Sequence, residues 1–530
     1  MKKRIFINDW LDVKPYNNHS KTDTYYLSIA NKIYKIFNSR IANNFFGNSL
    51  NKKDYVLISC LLVSYFEDII SETNFFISFK NKHNELYKKK LPFFEVSIDY
   101  IDDEINAEDV QFLVWYFIST LTSNKFFNPH HLSIKLLSFE VMSVFEDEYE
   151  YAPQNTQLQN FYKIDAQEKN FYLIREYIDK VLFTNYLFYT DCFLDLNKEE
   201  TNILENKDNK GYLVEMLRDY HDNAVFSTYT RLLSMKGKEW AGEILGRNHP
   251  LYNDILSVSN KVIGFFLYKG QDSENIFLEH IATNMKFNLT KKSYSAIKDF
   301  KNIDDIVYIG MALWKNEWWF SGISVVNEYD QEMIQKEKKS IESKLALNFL
   351  SSKEDKKLNE EILSNQFTAF KKITNGKLIV LMKTSEVKQF IDKFLEHYNN
   401  LDLTEEINDA TSINYEEISS DYNPNDVEEA SLVFFDSKKG ITSVDGINDL
   451  FLVKENSSYN ENDYKSLFLS LLMNKTISDE LVKYYIENYS NVLNFYGEYL
   501  EEVITPDLDF LLRFYKVEEY HNVAQIVFKD

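Results

Sequence analysis

The chain contains 530 residues with a formal net charge of −23 at pH 7, and 44% of its residues are hydrophobic. This length predicts two to four domains, and the apolar content is sufficient to build globular cores. The acidic balance argues against a general affinity for nucleic acid or anionic lipid, because the long-range field of the protein repels polyanions. A local basic patch is the remaining route to such a partner.

Cysteine usage and the longest apolar run predict a cytoplasmic protein. The only cysteines are Cys60 and Cys192, which indicates a reducing compartment without a disulfide framework. Asp9 and Asp12 interrupt the opening segment before the apolar core of a signal peptide develops. The longest apolar run, residues 56–66, has about half of the roughly 20 residues that a membrane helix needs. We therefore expect no membrane partner.

Residues 1–258 show helical periodicity and predict an N-terminal helical domain. Residues 4–10 are interpreted as a short strand or an extended arm packed on this domain. Thr22-Asp23-Thr24 predicts the cap of an amphipathic helix. A second helix begins at Asp54 and is apolar almost all round, which predicts a position at the centre of the bundle.

Residues 259–329 combine short β-rich runs with turn signals and predict a small β-barrel. The segments 268–272 and 283–284 are interpreted as hairpin turns, and residues 314–318 as a tight turn between two aromatic strands. The strand over residues 306–314 is apolar on both faces. Both faces should therefore be covered, as in a closed barrel packed against helices.

The remainder of the chain predicts a C-terminal α/β segment. Residues 330–400 are interpreted as helices plus one strand that join residues 431–530 in one domain. Between them, residues 401–430 are acidic and predict a flexible connector. The expected fold class is therefore α+β, with a helical domain, a central small barrel and a mixed C-terminal part.

Sequence motifs of catalysis and cofactor binding are absent. No glycine-rich phosphate loop and no Gly-x-Ser-x-Gly elbow occurs, and no Cys-x-x-Cys or His-Glu-x-x-His spacing predicts a metal site. We therefore expect no cofactor and no metal. His221 lies between Asp219 and Asp222, and these carboxylates should raise its pKa. We interpret His221 as an ion-paired surface histidine.

Two carboxylates interrupt the apolar helix that begins at Asp54. Glu67 and Asp68 would be buried there, and buried charges are costly unless they are paired. One interpretation is a structural ion pair with a neighbouring helix, for instance with Arg175. The functional alternative is a carboxylate of raised pKa in an interdomain cleft, with Asp102 as a further acid.

The aromatic hairpin of the predicted barrel is the second candidate site. Trp318 and Trp319 are adjacent in a strand, so one should enter the core and the other should face outward. The outward ring either packs on the helical domain or, with Trp314, forms a recognition surface. The nearby lysines give this region a local basic character suited to single-stranded nucleic acid: Lys286, Lys291, Lys292 and Lys298.

Several segments along the chain resemble an uncharacterised bacterial family of unknown function. They include FINDWLDVKPY, SYFEDIISETN, DDEINAEDVQFLVWYFI, KEWAGEILGRNHPLY, LWKNEWWFSGI and LLRFYK. The similarity extends through nearly the whole chain, and the acidic connector is its most divergent part. The resemblance implies a cytoplasmic bacterial protein, and it assigns no activity, cofactor or catalytic residue.

Three functional hypotheses follow from these observations. The first is a non-catalytic binding or adaptor protein that engages a protein or nucleic-acid partner through the barrel and the cleft beside the helical domain. The second is an enzyme, with hydrolysis as the suggested reaction, that uses the carboxylates of that cleft. The third assigns the acidic surface to solubility alone.

Overall fold

A computed structural model of the chain describes residues 4–122, 125–206, 213–296, 298, 300–340, 343, 344, 347, 353–400, 430–451, 464–489 and 500–521. The chain divides into two compact units, residues 1–349 and 350–530. The predicted boundary at residue 258 falls inside the first unit, so the helices and the barrel share one compact body. Among the described helices, none combines the length and apolarity that crossing a bilayer requires.

The first unit opens with the predicted helical bundle. Its helices are α1 (Ile7–Leu11), α2 (Lys21–Phe37), α3 (Arg40–Phe46), α4 (Lys52–Ser71), α5 (Phe75–Tyr87), α6 (Ala107–Leu121), α7 (Leu132–Glu148), α8 (Thr156–Phe161), α9 (Phe171–Phe183), α10 (Leu194–Glu205), α11 (Leu213–Ser227), α12 (Gly237–Leu245) and α13 (Tyr252–Leu256). A π-turn spans Tyr189–Phe193. The expected strand or arm at residues 4–10 is wrong, because Ile7–Leu11 is helical.

Capping side chains begin the two long helices that organise the bundle. Ser20 accepts a hydrogen bond from the backbone of Asp23 at α2, so the cap lies two residues before the predicted Thr22. Asn51 does the same for Lys53 and Asp54 at α4. Helix α4 is buried around most of its circumference, as its apolar sequence predicts.

A closed five-stranded barrel follows the bundle and confirms the predicted module. Its strands are β1 (Val262–Gln271), β2 (Asn275–His280), β3 (Lys286–Thr290), β4 (Ile306–Trp314) and β5 (Glu317–Asn327). They are hydrogen-bonded in the order β1-β2-β3-β5-β4, and β4 pairs with β1 to close the ring. Helix α14 (Gln331–Lys339) comes after β5.

Two turns of the barrel test the predicted hairpins. Lys315 and Asn316 both have positive φ, 48° and 65°, and they join β4 to β5 as a two-residue turn within the tight turn predicted over residues 314–318. The expected turn at residues 268–272 is wrong, because β1 continues to Gln271. Gly270 instead lies at a bulge with φ of 113°, a backbone conformation that glycine adopts readily.

The second unit is the predicted α/β segment. It contains α15 (Lys353–Ile373), β6 (Ile379–Lys383), α16 (Thr384–Asn400), β7 (Ala430–Asp436), β8 (Gly440–Asp445), α17 (Tyr464–Met473), α18 (Asp479–Tyr489), α19 (Leu500–Ile504) and α20 (Leu508–Tyr515). The strands form an antiparallel sheet in the order β6-β7-β8. The predicted acidic connector lies outside the described residues except for Ala430, which begins β7.

Candidate functional site

Two of the three predicted tryptophans are packing residues at the junction of helices and barrel. Trp314 is 1% exposed and Trp319 is 7% exposed. Both rings lie against Phe171 of α9, at centroid distances of 6.2 and 5.6 Å, and Tyr172 adds an edge-to-face contact with Trp319. Burial removes these two indoles from the predicted recognition surface, since no partner reaches their faces.

The rest of the predicted basic and aromatic surface is dispersed. Trp318 is half-buried and packs edge-to-face on Phe287 of β3, 4.9 Å between centroids. Lys292 is exposed and forms an ion pair with Glu317 at 2.6 Å, whereas Lys291 donates to a backbone carbonyl. Lys286 is exposed and has no ion-pair partner among the described residues. The stacking platform expected from three tryptophans is therefore not assembled.

Glu67 is buried in an ion pair with Lys14, not with the expected Arg175. The Lys14 ammonium also donates to Ser64 at 3.0 Å and lies 3.9 Å from the ring centroid of Trp10. Asn155 donates a further hydrogen bond of 2.8 Å to the Glu67 carboxylate. The ion-pair partner of Glu67 therefore comes from the segment after α1, whereas the sequence predicted a partner on a neighbouring helix.

Asp68 is buried as an acceptor at the start of helix α5. Burial raises the pKa of its carboxyl, and four hydrogen bonds oppose that rise. Their donors are the Thr73 and Tyr186 hydroxyls and the Phe75 and Phe76 amides, at 2.5 to 3.2 Å. The amides are those of the first turn of α5, where a carboxylate complements the helix dipole. This environment is typical of a structural cap.

Asp102 lies apart from the other two predicted acids. Its side chain is 59% exposed and forms an ion pair with Lys90. Its backbone carbonyl accepts a hydrogen bond of 2.7 Å from Lys80. Glu67, Asp68 and Asp102 thus belong to three separate networks within the first unit. The described residues do not bring them together in one cleft.

A buried charge cluster joins the helical bundle to the barrel. The Lys261 ammonium lies 2.9 Å from Asp219 and 2.7 Å from Asp222, both of α11. Asp222 also pairs with Arg175 of α9 at 2.6 Å and accepts from the Ser321 hydroxyl of β5 at 2.8 Å. Two cations and two carboxylates therefore neutralise one another at this junction.

Two glycines make room for the Lys261 side chain. A Cβ atom at Gly310 of β4 would lie 2.5 Å from Lys261 Cε, and one at Gly322 of β5 would lie 2.4 Å from its Nζ. Gly322 also has a φ of 89°, which side chains rarely adopt. The absence of a Cβ at these positions leaves room for the Lys261 side chain to lie against β4 and β5 and reach α11.

His221 lies beside this cluster, between two carboxylates of other helices. One ring nitrogen is 3.1 Å from Asp179 and the other is 2.9 Å from Glu200. The hydrogen bond to Asp179 is the largest cause that raises the pKa of His221, to about 9. The predicted ion-paired histidine is confirmed, although its partners differ from the neighbouring Asp219 and Asp222.

An open cavity of about 580 Å³ lies near the start of the bundle. Its apolar floor consists of Val13, Tyr34, Val56 and Leu57, from the segment after α1 and from helices α2 and α4. Tyr189 of the π-turn forms a further wall, and its hydroxyl donates to the backbone carbonyl of Asp12 at 3.2 Å. We call this space the N-terminal pocket.

Opposite charges line the rim of the N-terminal pocket. Asp9 and Asp12 lie on one wall, and Lys52 and Lys53 lie at the first two positions of α4. The Asp12 carboxylate and both ammonium groups have no ion-pair or hydrogen-bond partner among the residues that the structure describes. These charges were missed in the sequence, because nothing in the local pattern distinguishes a rim lysine from any other exposed lysine.

A second cluster of acids, in the other unit, has its own counter-charges. Asp436, Asp479 and Glu519 are buried with carboxylate oxygens within 4.8 Å of one another, a spacing that suits a metal ion. Lys438 and Lys483 pair with Asp479 at 3.2 and 2.7 Å, and Lys439 pairs with Glu519. These lysines supply the positive charge that a cation would bring.

Comparison with known proteins places the first unit in a family. Residues 4–313 match the family model described as "Protein of unknown function (DUF3843)", which covers more than half of the chain and ends within the barrel. No curated protein and no solved structure matches the chain. The match confirms the resemblance to a family of unknown function seen in the sequence. The chain is therefore a member of the family described as protein of unknown function DUF3843.

Proposed function

We propose that the protein is a non-catalytic binding protein whose N-terminal pocket holds a small amphoteric molecule. Such a molecule carries an anionic and a cationic group on an apolar body. The observation that carries this proposal is an apolar floor beside the charges of Asp12, Lys52 and Lys53, which have no ion-pair partner among the described residues. The cavity volume of about 580 Å³ falls within the range of small-molecule sites.

Each wall of the pocket suits one end of the ligand. Lys52 and Lys53 stand at the N-terminus of a 20-residue helix, where the helix dipole adds to their attraction for an anionic group. Asp12 on the opposite wall suits an ammonium group. Tyr189, Val56 and Leu57 are half-buried and offer apolar surface to the body of the ligand between these two ends.

We place this binding protein in the bacterial cytoplasm. Both cysteines are buried and free, which suits a reducing compartment. The abundance of Asn, Lys, Ile, Tyr and Phe is typical of an AT-rich genome, and the resemblance seen in the sequence implies a bacterial one. Of the two macromolecular partners expected from the sequence, a protein is favoured over nucleic acid, because a net charge of −23 repels a phosphate backbone.

The enzymatic alternative has less support from the geometry. A hydrolase would need an acid such as Glu67 or Asp68 at a surface that its substrate reaches. Both are buried and hold structural partners, and neither of them nor Asp102 lines the N-terminal pocket. Asp102→Asn should therefore leave ligand binding unchanged.

A thermal-shift panel tests the proposal. The probes are the free amino acids and a set of aromatic dipeptides, each beside its N-acetylated amide, which keeps the body and removes both charges. A bound ligand at 100 times its Kd stabilises the folded protein by about 2.7 kcal/mol and so raises its Tm. We expect one or more zwitterions to raise the Tm and their blocked analogues to have no effect.

Charge-removing variants locate the binding. Lys52→Gln/Lys53→Gln and Asp12→Asn should each remove the Tm shift. Matched controls are Lys21→Gln, at the first position of α2, and Asp103→Asn, at another exposed carboxylate, and neither should change it. Equal shifts by zwitterions and blocked analogues, or no shift by any probe, would reject the proposal.

A further inference from the structure

A separate cavity of about 590 Å³ lies within the second unit, at the end of its sheet. Helix α15 forms one side, helix α18 forms the other, and the end of β7 lies between them. Its floor is large and apolar, with Leu363, Phe367, Leu378, Phe434, Phe435 and Tyr484. We call this space the C-terminal groove.

The aromatic rings of the groove are held by one another. Phe367 of α15 lies 5.3 Å from Phe435 of β7, and Phe434 lies 6.0 Å from Tyr484 of α18. Phe435 belongs to the core beneath the sheet, whereas Phe367 is only partly buried against that core. The floor is therefore preorganised and still offers apolar surface, which lowers the entropic cost of binding a side chain.

The two lysines that line the groove are already committed to buried acids. Lys438 and Lys483 both donate to Asp479, whose side chain is 1% exposed. Lys438 also donates to the backbone carbonyl of Glu519 at 3.1 Å. These two cations therefore neutralise the acids beneath the floor and contribute little positive potential at the mouth.

The mouth of the groove is negative. Glu360 of α15 and Glu487 of α18 are exposed on opposite sides, and neither has an ion-pair partner among the described side chains. Glu480 accepts hydrogen bonds from the backbone amide of Ser437, at 2.8 Å, and from its hydroxyl. An apolar floor below acidic walls is complementary to a group that is both apolar and cationic.

We propose that the C-terminal groove docks a short segment of a partner protein in which a lysine or arginine lies beside a large apolar residue. The apolar side chain would cover the half-buried Phe367 and Leu378, and the basic side chain would reach Glu360 and Glu487. The net charge of −23 attracts a cationic segment over longer distances. The groove and the N-terminal pocket share no residues, so rejection of one proposal would leave the other unaffected.

Peptide selection on the full-length chain tests this site. The probe is a phage-displayed library of random heptapeptides, panned on the wild-type protein and then on two double variants. Glu360→Gln/Glu487→Gln removes the acidic walls, and Glu361→Gln/Glu502→Gln removes two exposed glutamates that do not line the groove. Circular dichroism and the Tm establish that each variant is folded.

We expect the enriched peptides to pair a basic with a large apolar residue. Their Kd, measured by fluorescence anisotropy, should rise about tenfold in Glu360→Gln/Glu487→Gln, a change worth about 1.4 kcal/mol. It should stay unchanged in the control variant and should weaken with added salt. Failure to enrich any peptide, enrichment of uncharged or acidic ones, or equal binding to both variants would overturn the proposal. So would a concentration-dependent dimer that Phe367→Ser dissociates, because the groove would then be an interface between copies.

Discussion

Buried lysines of the first unit are each held against a carboxylate from a different element. Lys14 pairs with Glu67, Lys80 with Asp109, and Lys261 with two acids of α11. A buried pair of this kind adds little net stability, but removal of one partner leaves an unpaired charge that costs about 3–5 kcal/mol. These side chains therefore fix how the elements meet.

The pKa of His221 gives a pH dependence that the structure determines. Its folded value of about 9 lies above the usual value of 6.5. The protonated ring thus contributes stability that is fully present below pH 6.5 and is lost as the pH rises through about 9. We expect an NMR titration to place its midpoint near pH 9. The destabilisation by His221→Gln should be larger at pH 6 than at pH 10, whereas His19→Gln, at an exposed histidine, should show no such change. A His221 midpoint below 7 would contradict this geometry.

Gly322 provides a test of the charge cluster at the barrel wall. An alanine there would meet both Lys261 and Asp219 and would adopt an unfavourable positive φ. We expect Gly322→Ala to lower the free energy of unfolding by about 3 kcal/mol in a urea titration. Gly246→Ala is the control, since Gly246 has a φ of 82° and open space around its Cα. That change should cost only about 1 kcal/mol. Equal losses would show that crowding at Lys261 is absent.

At the scale of elements, the hairpin of β4 and β5 packs the barrel against the helical bundle. Its outer face places Trp314 and Trp319 on α9, while Trp318 turns toward Phe287 of β3. Alternation along the strand predicts that the two adjacent tryptophans point opposite ways. Which of them meets the helices depends on the register with β4, and that register is fixed by the two-residue turn.

The turn itself is open to a direct test. Asn316 has a φ of 65°, a conformation that glycine adopts without strain, so Asn316→Gly should raise the free energy of unfolding by about 0.5 kcal/mol. Asn316→Val should lower it by about 1–2 kcal/mol, which is the cost of a left-handed conformation for a residue with a side chain. Asn288→Val, at an exposed position within β3, should be neutral or stabilising, because β-branched residues suit strands. Unfolding curves give all three values. If Asn316→Val left the free energy of unfolding unchanged, residue 316 would not have the positive φ of this turn.

At the scale of the whole molecule, periodicity and turn signals in the sequence predicted the order of the fold regions. The residues that form the N-terminal pocket are brought together by long-range contacts. The helical, barrel and α/β regions follow from local patterns that a reader finds in the sequence. The partner of Glu67 and the walls of the N-terminal pocket do not follow from such local patterns. That pocket gathers Asp12, Tyr34, Lys52 and Tyr189, which are far apart in the chain. Glu67, Asp68 and Asp102 do not line one cleft, because each forms hydrogen bonds or an ion pair with its own neighbours.

The central claim is that the N-terminal pocket binds an amphoteric molecule without changing it. Isothermal titration of the zwitterion that raises the Tm most, followed by mass spectrometry of the recovered ligand, tests this claim most directly. We expect a single site and a ligand of unaltered mass. The Kd should be at least tenfold weaker in Asp12→Asn and in Lys52→Gln/Lys53→Gln and unchanged in Lys21→Gln. Unchanged affinity in the pocket variants, or a chemically altered ligand, would contradict it.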